Sequence, residues 1–166
     1  MKIGRFVVIS WRSTSDTPAG RPGANRLIHM HRSFERDVAA LENIFHFTDE
    51  FASANKIGKS ATFAMNLAIE ELFTNIVKYS ADSGNDISIH LDIAGNDLVI
   101  KITDFDVERF DITEWSKVDV DRSLEERKVG GIGLHLVRNM VDKITYEYEA
   151  RTACITLVKH LEDLNV

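Results

Sequence analysis

Ile87-Ser-Ile-His-Leu-Asp-Ile93 and Leu98-Val-Ile-Lys-Ile102 each alternate apolar with polar residues, and Gly95-Asn-Asp97 lies between them. Side chains of a strand point to opposite faces with a period of two, so each run carries one apolar edge. Glycine beside Asn and Asp supplies the backbone freedom of a tight hairpin turn. The stretch therefore predicts two antiparallel strands whose apolar face must be covered. Two upstream segments can cover it. From Arg36 to Ala54, after Ser33, the residues Val38, Leu41, Ile44, Phe45, Phe47 and Phe51 recur at helical spacing, and Asn55-Lys-Ile-Gly58 ends that run. A second helix follows to about Tyr79, with Ser60 as its expected cap and Ala81-Asp-Ser-Gly-Asn85 as its stop.

Further out, Leu27-Ile-His-Met-His31 reads as a short first strand. Gly133 to Val141 reads as a third helix, and Ile144-Thr-Tyr-Glu-Tyr148 with Ala153-Cys-Ile-Thr-Leu-Val158 as a closing hairpin. The order is strand, two helices, two strands, long loop, helix, two strands. Hairpins segregated from helices predict an α+β fold: a two-layer sandwich, mainly antiparallel mixed sheet, helices on one face. Residues 1–26 read as a separate arm, because Pro18 and Pro22 gather there with Ser, Thr and Gly, and Phe6-Val-Val-Ile9 reads as a loose terminus or an added edge strand. The folded domain is then expected over 27–166. Residues 107–129 have no clean period and are about half charged, as expected of a solvated mobile loop.

Composition narrows the function classes. The chain's 166 residues suffice for one domain with a sizeable core. A net charge of −6 provides no broad basic surface, so direct nucleic-acid binding is not expected. The single cysteine, Cys154, falls in an apolar strand pattern and reads as a small packed side chain in a reducing compartment. No apolar run approaches the roughly 20 residues that span a bilayer, and the apolar N-terminal stretch is short for a signal peptide. A cytoplasmic protein without a membrane partner is expected.

Three segments carry residues able to do chemistry. Glu71-Leu-Phe-Thr-Asn75 puts a carboxylate and a carboxamide one turn apart on one face of the second helix, away from the stripe of Ile69, Leu72, Phe73 and Ile76. The carboxylate can take a proton, and the carboxamide oxygen can hold a hard cation such as Mg²⁺. Gly130-Gly-Ile-Gly-Leu134 leads into a helix, where free backbone N–H groups and the macrodipole favour an anion. Asp104 ends a strand and can accept a hydrogen bond from an adenine amino group. Each also has a plain alternative: a wet helix face, a flexible loop, a turn former.

Together the three resemble the GHKL (Bergerat-fold) superfamily, which groups DNA gyrase, heat-shock chaperones, histidine kinases and MutL. Within it the chain is most similar to the bacterial anti-sigma-factor serine/threonine kinases, over about residues 27–161. Glu71-Leu-Phe-Thr-Asn75-Ile-Val-Lys-Tyr79 resembles the first ATP box, Asp104-Phe-Asp-Val-Glu-Arg-Phe-Asp111 the second and Gly130-Gly-Ile-Gly-Leu-His-Leu-Val137 the third. The resemblance implies Glu71 as the base that activates an acceptor serine or threonine, and Asn75 as the Mg²⁺ ligand. It implies Lys78 near the phosphates, Asp104 as the adenine reader, and Gly130, Gly131, Ile132, Gly133 and Leu134 around the nucleotide. It also implies a lid formed by roughly residues 107–129, from which Arg127 or Lys128 could reach a γ-phosphate on closure. The implied partners are ATP and ADP, a sigma factor and a phosphoacceptor antagonist, and kinases of this branch are often homodimers. A regulatory module that binds nucleotide without efficient transfer is the alternative.

One position departs from the pattern. The family's second box reads Asp-x-Gly, and this chain has Asp106 at the glycine. A side chain and a negative charge there are expected to narrow the nucleotide pocket. His29-x-His31 would place two imidazoles on one strand face with no third ligand evident; His46 lacks the local pattern of a phosphorylated histidine, and His135, just after the glycines, reads as a packing residue or a phosphate contact.

Overall fold

The strands realise the alternation. A computed structural model describes residues 28–79, 83–109 and 131–162, with residues 131–134 described by backbone alone. Strands β1 (Met30–Phe34), β2 (Ile87–Ala94), β3 (Asp97–Phe105), β4 (Lys143–Glu149) and β5 (Thr152–His160) form one sheet in the order β1-β2-β3-β5-β4. Every neighbouring pair is antiparallel, so the described sheet is not mixed. Ile87, Ile89, Leu91 and Ile93 of β2 are buried with Leu98, Ile100 and Ile102 of β3 and Ile155 and Leu157 of β5. The β2–β3 register sets Leu91 opposite Ile100 and Ile89 opposite Ile102, which concentrates the apolar area on one face. Gly95 turns this hairpin in the left-handed region, φ 66°.

Helices α1 (Leu41–Ala54), α2 (Lys59–Tyr79) and α3 (Gly131–Met140) cover that face. Ile44, Phe47 and Phe51 of α1, Ile69, Leu72, Phe73 and Ile76 of α2, and Val137 of α3 join the sheet residues in one core. A fully buried side chain of this size contributes roughly 1.5–3 kcal/mol by leaving water. No helix among the described residues is long and apolar enough to cross a membrane.

The strands and the third helix shift by a few residues from the sequence expectation, and three differences at element starts have a visible cause. The first strand runs from Met30 to Phe34 rather than from Leu27 to His31. Arg32 hides the pattern: it sits at an inward strand position, its guanidinium 5.0 Å from the centroid of the Phe47 ring, while Met30 and Phe34 on either side are buried. The first helix starts after Arg36, with a 3₁₀ turn at Val38–Ala40 capped by the Asp37 carboxylate, which accepts from the Ala39 N–H at 2.8 Å. Ser60 does not cap α2 but lies in its first turn; the Gly58 carbonyl accepts the Thr62 N–H at 3.0 Å instead. The expected arm at 1–26 and almost all of the expected lid, including Arg127, Lys128 and Gly130, lie outside the described residues.

Candidate functional site

Asn75 and Glu71 of α2 do not lie on a wet helix face. Asn75 is only 7% exposed, and its Nδ2 is buried without a hydrogen-bond partner among the described residues. A buried amide left unpaired costs roughly 1–3 kcal/mol, an expense a surface asparagine does not meet. A carboxamide can turn about its terminal torsion to present oxygen or nitrogen, so this group is chemically suited to a hard cation. Glu71, one turn earlier, is half-buried. Burial, and secondly the neighbouring Glu70 carboxylate, hold its carboxyl above the ordinary value. That is the direction required of a general base that must keep some affinity for a proton. Lys78 is exposed further along α2, its ammonium 4.9 Å from the centroid of the Tyr79 ring.

Asp104 faces inward near the end of β3 and is 2% exposed. Its partner was not legible in the sequence. Arg36, on the connection between β1 and α1, contacts Oδ1 through Nη2 and lies 3.3 Å from Oδ2 through Nη1. Its Nε donates to the Asn85 carbonyl oxygen at 3.2 Å. The Ser83 hydroxyl in turn donates to the Phe105 carbonyl oxygen at 2.7 Å, which fastens the loop after α2 to the end of β3. No local pattern marks Arg36, since 68 positions separate it from Asp104. Only the sheet register brings the two together.

Asp106 occupies a left-handed backbone position, φ 56°, a conformation that favours glycine. Its carboxylate does not turn inward. It is 63% exposed and accepts from Arg151 Nε at 2.6 Å, while Arg151 Nη1 donates to Glu108 at 2.7 Å. These two carboxylates hold the Arg151 guanidinium well above its ordinary value, Asp106 contributing most. Arg151 lies in the β4–β5 turn, where Ala150 and Arg151 both take positive φ, and its carbonyl oxygen accepts the Val107 N–H at 2.9 Å. The segment after β3 is thus tied to the closing hairpin. The Asp106 charge thus has a partner, on the solvent side.

Gly131 and Gly133 lie in the first turn of α3, with Ile132 and Leu134, and α3 packs against α2. The glycine segment therefore begins a helix beside the one that carries Glu71 and Asn75. His135 and His46 are exposed. His29 stacks on His90, ring centroids 5.9 Å apart, and His31 lies opposite His90 in the β1–β2 register. The third imidazole thus comes from β2, yet among the described residues no group of three or more His, Cys, Asp or Glu could hold a metal. Cys154 is half-buried on β5, its Sγ 3.8 Å from the Thr103 hydroxyl.

Comparison with known proteins adds a family and a fold. The sequence model of the histidine kinase-like ATPase domain matches residues 34–159. Serine-protein kinase RsbW of Staphylococcus aureus is 29% identical over 106 residues, which cover 58% of this chain and 64% of that protein. The chain thus spans a little under two thirds of this relative's length. The RsbU and RsbW domains of Rv1364c from Mycobacterium tuberculosis share the fold with a TM-score of 0.58 at 16% identity, over 80% of this chain and 32% of that one. The SiaB–SiaC complex from Pseudomonas aeruginosa gives 0.57 at 13% identity, over 77% and 87%.

Proposed function

This chain belongs to the histidine kinase-like ATPase domain family, and from that premise we propose that it is a Mg²⁺–ATP-dependent serine/threonine protein kinase acting as an anti-sigma factor. The observation that carries the proposal is the pair on α2: a buried carboxamide with an unpartnered nitrogen, one turn from a half-buried carboxyl raised above its ordinary value. Similarity to a serine-protein kinase supports the acceptor class. Likeness in fold to a chain of the SiaB–SiaC complex is consistent with a small protein partner. Its partners would be a sigma factor and an antagonist that receives the phosphate, and it would work in the cytoplasm, as a homodimer if it follows its branch.

The chemistry assigned to this chain's own groups is short. The Glu71 carboxylate takes the proton of the acceptor hydroxyl as its oxygen forms a bond to the γ-phosphorus. The bond from that phosphorus to the β,γ-bridging oxygen breaks, and ADP leaves. Asn75 would hold Mg²⁺, which supplies charge neutralisation on the phosphates when bound. A Mg²⁺ ion commonly takes only one or two protein ligands and completes its shell with phosphate and water, which suits a site built on a single carboxamide. The N–H groups at the start of α3 would meet phosphate oxygens, with Lys78 as a nearby counter-charge. Asp104 would accept from the adenine amino group.

The test is calorimetry with ATP in the presence and absence of Mg²⁺, followed by transfer of labelled γ-phosphate to candidate antagonists. Asn75→Ala is expected to lower Mg²⁺-dependent ATP affinity by about tenfold or more, the worth of one lost interaction with a charged group. Unchanged affinity in this variant would remove Asn75 from the site.

A second expectation concerns Asp106. The pairing with Arg151 supports a carboxylate held outside the nucleotide pocket. Asp106→Gly is therefore expected to bind ATP as the parent does. Arg151→Ala, which strands two carboxylates beside each other, is expected to weaken ATP binding, and Arg151→Ala/Asp106→Gly to recover part of the loss. A tighter Asp106→Gly would mean that the carboxylate turns inward when ATP arrives.

A further inference from the structure

The guanidinium of Arg36 meets both oxygens of Asp104 at once. Its Nε donates to the Asn85 carbonyl oxygen at 3.2 Å, which restrains the fork from rotating away. Both side chains are shielded from water, Arg36 at 9% and Asp104 at 3% exposure. A planar fork against a carboxylate is the strongest ion-pair geometry available to side chains.

A carboxylate offers about four lone-pair directions, two per oxygen. A bidentate guanidinium uses the two that point the same way, one on each oxygen. The outward lone pairs that remain diverge from each other. Adenine presents a single amino donor at its pairing edge, and one outward lone pair satisfies it. Guanine would approach a free carboxylate with two parallel donors, its ring N–H and its exocyclic amino group, spaced much like the two donors of a guanidinium. That approach needs the two lone pairs that Arg36 already fills. Guanine's other option, its carbonyl oxygen, would meet the carboxylate as acceptor against acceptor.

We propose that Arg36 is a specificity-determining residue, which disfavours guanine nucleotides by occupying the bidentate face of Asp104 and leaving only single-donor contacts. The inference rests on the nucleotide-binding function proposed above and deepens it. Asp104 alone would offer guanine two hydrogen bonds; beside Arg36 guanine loses its paired approach, while the single contact of adenine is kept.

Titration of Arg36→Lys and Arg36→Met with ATP and with GTP tests it. Lysine keeps a positive charge beside Asp104 but is a point donor, so it cannot fill the bidentate face. It also keeps the experiment decisive should the methionine variant fail to fold. The wild type is expected to prefer ATP, and the ratio of GTP to ATP dissociation constants is expected to fall about tenfold or more in Arg36→Lys, mainly through tighter GTP. A folded Arg36→Lys with the wild-type ratio overturns the role of Arg36 and leaves the nucleotide site standing. Parallel weakening of both nucleotides marks a purely structural residue and overturns it too. Equal affinity of the wild type for both bases overturns base reading by the pair, whereas a wild type that binds neither overturns the nucleotide site itself.

Discussion

Glu71→Gln is expected to bind Mg²⁺–ATP as the wild type does and to phosphorylate its protein partner roughly 10²–10⁴-fold more slowly, the usual contribution of a positioned general base. Glutamine keeps the shape and polarity of the side chain and removes only its basicity, and the stripe through Ile69, Leu72, Phe73 and Ile76 that anchors α2 is untouched. The pH dependence sharpens the test. Burial and Glu70 raise the Glu71 carboxyl, so the wild type is expected to lose its base as pH falls at a higher pH than an ordinary glutamate would, and Glu71→Gln should lack that limb. Stability follows with the opposite benefit. A carboxyl raised in the folded state holds its proton more tightly there than in the unfolded chain. Its contribution is complete below the unfolded value and is lost as pH rises through the folded one. Glu71→Gln has no proton to lose, so at neutral pH it should be at least as stable as the wild type. Transfer at the wild-type rate by Glu71→Gln would exclude Glu71 as the base; transfer by neither protein, with nucleotide-dependent partner binding intact, would favour a regulatory module.

The largest effect on stability is expected at the Arg36–Asp104 pair. Removing one member of a buried ion pair leaves the other charge uncompensated and typically costs about 3–5 kcal/mol. Asp104→Asn and Arg36→Met should each lower the thermal midpoint by about 10–15 °C in a domain of this size. Replacing both, in Arg36→Met/Asp104→Leu, should cost less than the sum of the single changes, because neither charge is then stranded. Thermal melts of the four proteins check this, and single variants that melt within a degree of the parent would show the pair to be solvated. One consequence bears on any binding experiment: a weaker affinity in Asp104→Asn reports base contact only at temperatures where that variant is folded.

How much of this was legible beforehand depends on the range of the interaction. The β2–β3 hairpin, the closing hairpin and the core stripe of α2 follow from local periodicity, because backbone geometry repeats every two or 3.6 residues and burial selects the matching pattern. Boundaries were read less well where a neighbour in space altered the pattern. Arg32 takes an inward strand position because the Phe47 ring receives its guanidinium, and no stretch of sequence announces that contact. The site divides along the same line. Glu71 and Asn75 could be placed on one helix face from their spacing, and Asp106 could be recognised as a departure from the Asp-x-Gly pattern that the segment resembles.

By itself, then, the sequence determined the layer architecture, the helix that carries the carboxylate and carboxamide, and the helix that begins at the glycines. Tertiary structure alone decided the electrostatics. That Asn75 is buried depends on how α2 packs; that Asp104 is gripped by a guanidinium 68 positions away, and that the Asp106 charge is drawn outward to Arg151 across 45 positions, depend on how the strands pair. Charges act through space, over a few ångströms, and a residue's partners in space are set by which strands pair and in what order, quantities that no local period encodes.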